Sequence, residues 1–254
     1  MSIYLLALIF IFGSIVGSFL NVCIYRMPRN ISIISPSSFC PVCKKKIPHY
    51  YNIPILGYFL LKGRCKFCNN KISKRYPLIE TLTAIFAVIS FIVWQPQLAI
   101  VNFLFIATLI VITFIDIDFQ IIPDSINYTG IIISIIISIF LFKRDVLNTF
   151  LATIIGGGLF YTIGKSYEII TKKEGLGGGD VKLMAFFGAY LGLKAVFFIT
   201  FLASLTGTIY GIYLLVSKHK NKDYAIPFGP FLSLSALIYL FFGDKITSWY
   251  LSML

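Results

Sequence analysis

Residues 3–25 read IYLLALIFIFGSIVGSFLNVCIY, one apolar run that ends at Arg26. About 20 such residues, rising about 1.5 Å each in a helix, cover the roughly 30 Å apolar thickness of a bilayer. A secretory signal would carry basic residues ahead of a shorter apolar core and close on a small-residue cleavage site. Here Lys and Arg are absent before the run, and Arg26 and Arg29 follow it. The segment reads as a retained span, with the N-terminus outside and residue 26 onward in the cytoplasm.

The same character continues along the chain. Apolar runs follow at 78–94, 98–115, 125–142, 146–170, 181–192, 195–216 and 228–243. Of the 254 residues, 58% are hydrophobic and 13% charged, against about 45–50% and about 25% in a soluble domain. No soluble fold covers that much apolar surface, and 25 Phe with 15 Tyr exclude a solvated coil. The composition predicts an all-α polytopic membrane protein of about eight transmembrane helices. The run 181–192 is too short to cross as a straight helix, so it reads as a half-span or as part of a bent pair continuing past Lys194.

Charge placement orients these runs. The net charge is +12, but the basic residues gather between apolar runs, which argues for membrane topology and against nucleic-acid binding. Residues 26–77 hold eleven basic residues and no acidic one. Alternation from there places the breaks 116–124, 171–180 and 217–225 in the cytoplasm as well. With their neighbours these four segments carry 18 of the 22 basic residues, and both termini fall outside. The expected division is a first transmembrane helix at 1–25, a hydrophilic loop at 26–77 and a multi-span membrane domain at 78–254.

The loop contains Cys40-Pro-Val-Cys43 and Cys65-Lys-Phe-Cys68. Two such C-x-x-C pairs converge readily on one tetrahedral ion, and four thiolates suit a closed structural zinc site. Two disulfides are the alternative, disfavoured on the reducing side of the membrane. No thioredoxin-like pattern surrounds either pair, so redox chemistry is the weaker reading. His49 lies between the pairs as an alternative ligand or a solvated loop residue, and Cys23, inside the first span, reads as a packing residue.

A second constellation is acidic. The third span ends Ile115-Asp116-Ile117-Asp118, with Asp124 just beyond, and Gly175-Leu-Gly-Gly-Gly179 leads into Asp180. Ionisable residues bordering spans are functional candidates by default, and Asp116 and Asp180 fall on one side of the predicted topology. Two facing carboxylates in a partly desolvated site share one proton, the arrangement of aspartic-protease chemistry. Helix capping is the alternative, fitting Asp124 and also Asp180. The glycines satisfy no nucleotide-binding fingerprint; Gly177, Gly178 and Gly179 instead let backbone and substrate come close to Asp180. An open glycine backbone also offers an unwound peptide strand-like pairing.

Taken together these residues resemble the type IV prepilin peptidase family, membrane aspartic proteases of the GxGD class. The opening segment Gly17-Ser-Phe-Leu-Asn-Val-Cys-Ile-Tyr-Arg-Met-Pro28, both C-x-x-C pairs and Arg75-Tyr-Pro-Leu-Ile-Glu80 are similar to the family pattern. So are Ile115 to Asp124, Gly177-Gly-Gly-Asp180 and Pro227-Phe-Gly-Pro230, all in the family's order. The resemblance implies that Asp116 and Asp180 are the catalytic pair, with Asp118 and Asp124 in supporting roles. It implies a bacterial inner-membrane enzyme that removes the basic leader of prepilins or pseudopilins after a glycine, on the cytoplasmic face. Pilus, competence or secretion machinery would then be its indirect partners. Members with the cysteine loop usually also methylate the new N-terminal amine with S-adenosylmethionine, which links residues 26–77 to N-methylation. Arg75 and Glu80 are candidates for that half, with a surface ion pair as the alternative. Glu174, Asp118 and Asp124 are the carboxylates placed to meet a basic leader. A transporter using Asp116 and Asp180 as an ion-coupling pair is the competing reading, although its carboxylates belong at mid-span.

Overall fold

The computed structural model describes residues 2–172, 175–218 and 226–252. They form nine helices: α1 Ile3–Arg26, α2 Leu56–Leu60, α3 Arg75–Val93, α4 Pro96–Phe119, α5 Asp124–Phe140, α6 Val146–Thr171, α7 Gly178–Leu191, α8 Leu193–Lys218 and α9 Gly229–Leu251. Among the described residues the only extended pairings are two isolated bridges, Phe39 with Lys46 and Arg64 with Lys71.

Each of the eight expected apolar runs becomes a helix. Five of them are long and apolar enough to cross a membrane, beginning at Ile3, Arg75, Pro96, Val146 and Leu193. Helix α5 has 17 residues and α7 has 14, so at about 1.5 Å per residue they reach only about 26 Å and 21 Å. The apolar part of α9, Gly229–Gly243, is also short. Eight spans are therefore not confirmed, although the helix order is the expected one. Helix α7 does not run on past Lys194: Gly192 takes φ +92° and α8 starts at the next residue.

The chain forms two compact units, Met1–Val111 and Ile112–Leu254. In the first, α1 lies along α3. Gly13 and Gly17 make the contact possible, because a Cβ at residue 13 would stand 2.7 Å from Ala87 Cβ and one at residue 17 only 2.7 Å from Glu80 Cα. Small residues four apart let two backbones approach where lipid provides no hydrophobic drive for association. On α3 the facing residues Ile79, Glu80, Thr83, Ala84 and Ala87 are buried with helical spacing. The outer faces keep large apolar side chains exposed, Leu8, Phe12, Ile15 and Phe19 on α1 among them, as lipid contact requires.

In the second unit α7 is the inner element, contacted by α5, α6, α8 and α9. Beyond its first turns it is apolar on all sides, and Leu183, Met184, Phe186, Phe187 and Tyr190 are buried. Its C-terminal carbonyls need donors. The Arg144 guanidinium reaches the Ala189 and Tyr190 carbonyls at 3.3 Å each, and the Ser138 hydroxyl donates to Ala189 at 2.6 Å.

Candidate active site and cysteine cluster

Helix α4 does not stop before the acidic pair. No glycine or proline interrupts residues 116–119, so the helix continues to Phe119 and ends where Gln120 turns to φ +54°. Asp116 therefore sits on the last turns of a helix, and it is 5% exposed despite its charge. Gly229, the first residue of α9, donates its N–H to Asp116 Oδ2 at 2.8 Å. The first N–H groups of a helix lack intrahelical partners and carry partial positive charge, so a carboxylate satisfies them. A Cβ on residue 229 would stand 2.7 Å from that oxygen, so only glycine brings the amide so close.

Asp180 arrives from the other direction, in the first turn of α7 with Gly177 as N-cap. Its carboxylate lies within electrostatic reach of Asp116. Three further contacts hold the α7 start against the start of α5. Asn127 Nδ2 donates to the Gly179 carbonyl at 3.3 Å, Ile122 covers Gly179, and Lys182 Nζ pairs with Asp124 Oδ1 at 2.6 Å. The Lys182 ammonium also lies 5.1 Å from the centre of the Tyr128 ring. Asp124 thus opens α5 as a helix-start carboxylate with its charge already met by Lys182. Asp118, two residues and about 200° around α4 from Asp116, is exposed. Glu174 lies outside the described residues.

The loop of the first unit repeats one structure twice. In each knuckle the first cysteine's carbonyl accepts the N–H of a residue with positive φ: Lys44 to Cys40 and Asn69 to Cys65, both at 2.9 Å. The first cysteine's own N–H donates to the Lys45 carbonyl in one knuckle and the Asn70 carbonyl in the other. This tight return turns both cysteines of a pair to one side. The four Sγ atoms lie within 4.8 Å of one another, with Cys40 and Cys68 3.9 Å apart. A tetrahedral ion with bonds of about 2.3 Å sets sulfurs about 3.8 Å apart, so the donor set fits a four-thiolate metal centre. All four are free thiols rather than disulfides. The N–H groups of Cys68 and Phe67 draw the Cys65 thiol down to about 7, toward the thiolate that metals take. The side chain of His49 lies outside the described part of the structure.

Of the two candidates on α3, Glu80 is buried and borders a cavity beside the knuckles, whereas Arg75 does not border it.

Comparison with known proteins follows these two regions. Residues 11–94 match the profile described as the bacterial peptidase A24 N-terminal domain, and residues 103–212 match that of the type IV leader peptidase family. A relative from Legionella pneumophila is 35% identical over 95% of this chain and 92% of its own. Relatives from Aeromonas salmonicida and Neisseria gonorrhoeae are each 33% identical, over 97% and 95% of this chain and 94% and 93% of their own. The chain belongs to the type IV leader peptidase family. All three relatives are named prepilin leader peptidase/N-methyltransferase. No solved structure matches the chain.

As a leader peptidase family member with five helices long and apolar enough to cross a membrane, the chain is an integral membrane protein. The family's N-terminal profile covers the cysteine cluster and Glu80, and its peptidase profile covers Asp116 and Asp180. Three contributors to the carboxylate site have no side-chain signal strong enough to find them in sequence. Gly229 acts through a backbone N–H, Asn127 is a buried polar residue in an apolar run, and Lys182 reads as a topology charge.

Proposed function

We propose that this protein is a membrane aspartic endopeptidase that removes the leader of type IV prepilins or pseudopilins after a glycine and then N-methylates the exposed residue. The observation that carries the reading is the buried Asp116 held by the Gly229 amide, with Asp180 within electrostatic reach of it. One carboxylate, ionised, takes a proton from water as the water oxygen bonds the scissile carbonyl carbon, and its protonated partner gives its proton to the carbonyl oxygen. Collapse of the tetrahedral species breaks the C–N bond: the leaving amine takes the proton held by the first carboxylate, and the hydroxyl formed on the former carbonyl returns its proton to the second. The exposed backbone at Gly177 and Gly178 supports the approach of an unwound peptide.

The four-cysteine cluster supports a structural zinc ion held by Cys40, Cys43, Cys65 and Cys68. In the second activity S-adenosylmethionine is the methyl donor: the carbon–sulfur bond of the sulfonium breaks as the new carbon–nitrogen bond forms, and the amine nitrogen releases a proton to water. The excess of basic residues in 26–77 supports a cytoplasmic loop, with the peptidase site on the same side of the inner membrane and both termini outside.

Co-expression with a prepilin tests the peptidase half. Asp116→Asn and Asp180→Asn are each expected to abolish leader loss on a gel. Processing that survives both substitutions overturns the aspartic mechanism.

A further inference from the structure

The first unit contains a cavity of about 390 Å³ that the peptidase chemistry leaves unused. It lies among the loop end of α1, the first turns of α3 and the two knuckles, and its wall includes Tyr25, Phe39, Tyr51 and Tyr76. A volume in this range, lined by rings with a few polar groups, is that of a small-molecule site. Flat aromatic walls suit a purine.

Glu80 is the acidic group in that wall, and it is only 8% exposed. Its Oε2 accepts the Ile55 N–H at 2.7 Å, and the Ser18 hydroxyl donates to the same carboxylate. Both partners are neutral, and no cation pairs with Glu80 among the described residues. Arg26, Lys66 and Lys71 also border the cavity; Arg26 already serves the Ser32 and Pro36 carbonyls at 2.9 and 2.7 Å, and Lys66 donates to the Tyr50 hydroxyl at 3.3 Å. A buried carboxylate without a counter-charge is unfavourable as an ion, and a ligand that brings a positive charge stabilises it. Ile55, the donor to Glu80, has φ +63°, an outlier for a β-branched residue and a mark of strain held in place by its surroundings.

We propose that this cavity binds a nucleoside sulfonium, the methyl donor, with its purine against the aromatic wall and its positive charge against Glu80. The inference rests on the methyltransferase half of the function proposed above, and it adds the place and the recognising group. The ligand's charge supplies what the carboxylate lacks.

Binding of S-adenosylmethionine and of adenosine to the full chain in lipid nanodiscs tests it, with thermal unfolding and protease resistance of residues 1–111 confirming that each variant is folded. Glu80→Gln is expected to weaken S-adenosylmethionine at least ten-fold and adenosine less than two-fold, because only the former is charged. Val22→Phe, which fills the cavity, is expected to weaken both. Ultraviolet cross-linking of labelled donor to the parent chain needs no variant, and its adducts are expected within residues 25–76. Donor binding unchanged in both variants, or adducts confined to residues 112–254, overturns the cavity while leaving the methyltransferase reading intact. A parent chain that cleaves the leader but binds no donor overturns both.

Discussion

At residue 229 the absence of a side chain is itself the functional requirement. The Gly229 N–H meets Asp116 Oδ2 at 2.8 Å, and a Cβ would stand 2.7 Å from the same atom. Gly229→Ala must therefore push the carboxylate away or withdraw the amide. Misplacing a catalytic group by about 1 Å lowers rates by roughly 100-fold, and a loss of that size in leader cleavage, with the fold retained, is expected. Cleavage at the parental rate would show that the contact does not position Asp116. The acidic residues themselves were legible in the sequence because charge beside an apolar run is conspicuous. Their differing roles were not, since Asp116 is buried, Asp118 exposed and Asp124 paired with Lys182.

Among the elements, the α1–α3 pair and the cysteine knuckles carry separate expectations. Gly17 faces the α3 backbone, so Gly17→Leu forces the helices apart, and overpacking of this kind costs about 1–3 kcal/mol. Gly158, on α6, has nothing within 4 Å of a Cβ, so Gly158→Ala is expected to be neutral or slightly stabilising. Thermal unfolding in detergent compares the two, and equal melting temperatures would contradict the close approach. In the knuckles, one zinc per chain is expected by elemental analysis. Metal and protons compete for the sulfurs, and the Cys65 thiol lies at about 7. The neighbouring Cys68 thiol is pushed up, to about 11, so protons compete above pH 7 as well, and zinc affinity is expected to fall steadily as pH drops from 8 to 6, read by chelator competition. A flat profile between pH 6 and 8, or a chain purified without zinc, counts against the site.

For the whole molecule, two units with their own contacts predict two separable losses. Cys40→Ser is expected to abolish methylation while leader cleavage falls less than about three-fold, both followed by mass spectrometry of the processed pilin. Equal losses in the two activities would show that the cysteine cluster serves the peptidase site as well. The membrane class, the helix order and the paired cysteines were determined by the sequence alone, because apolarity, charge placement and short spacings are properties of neighbouring residues. The short lengths of α5 and α7, the Gly229 amide on Asp116 and the cavity beside Glu80 were decided only by the tertiary structure. The reason is physical: the amide contact joins residues 113 positions apart. No local pattern records which backbone N–H a distant helix will deliver, or what space remains when two helices and two knuckles close around it.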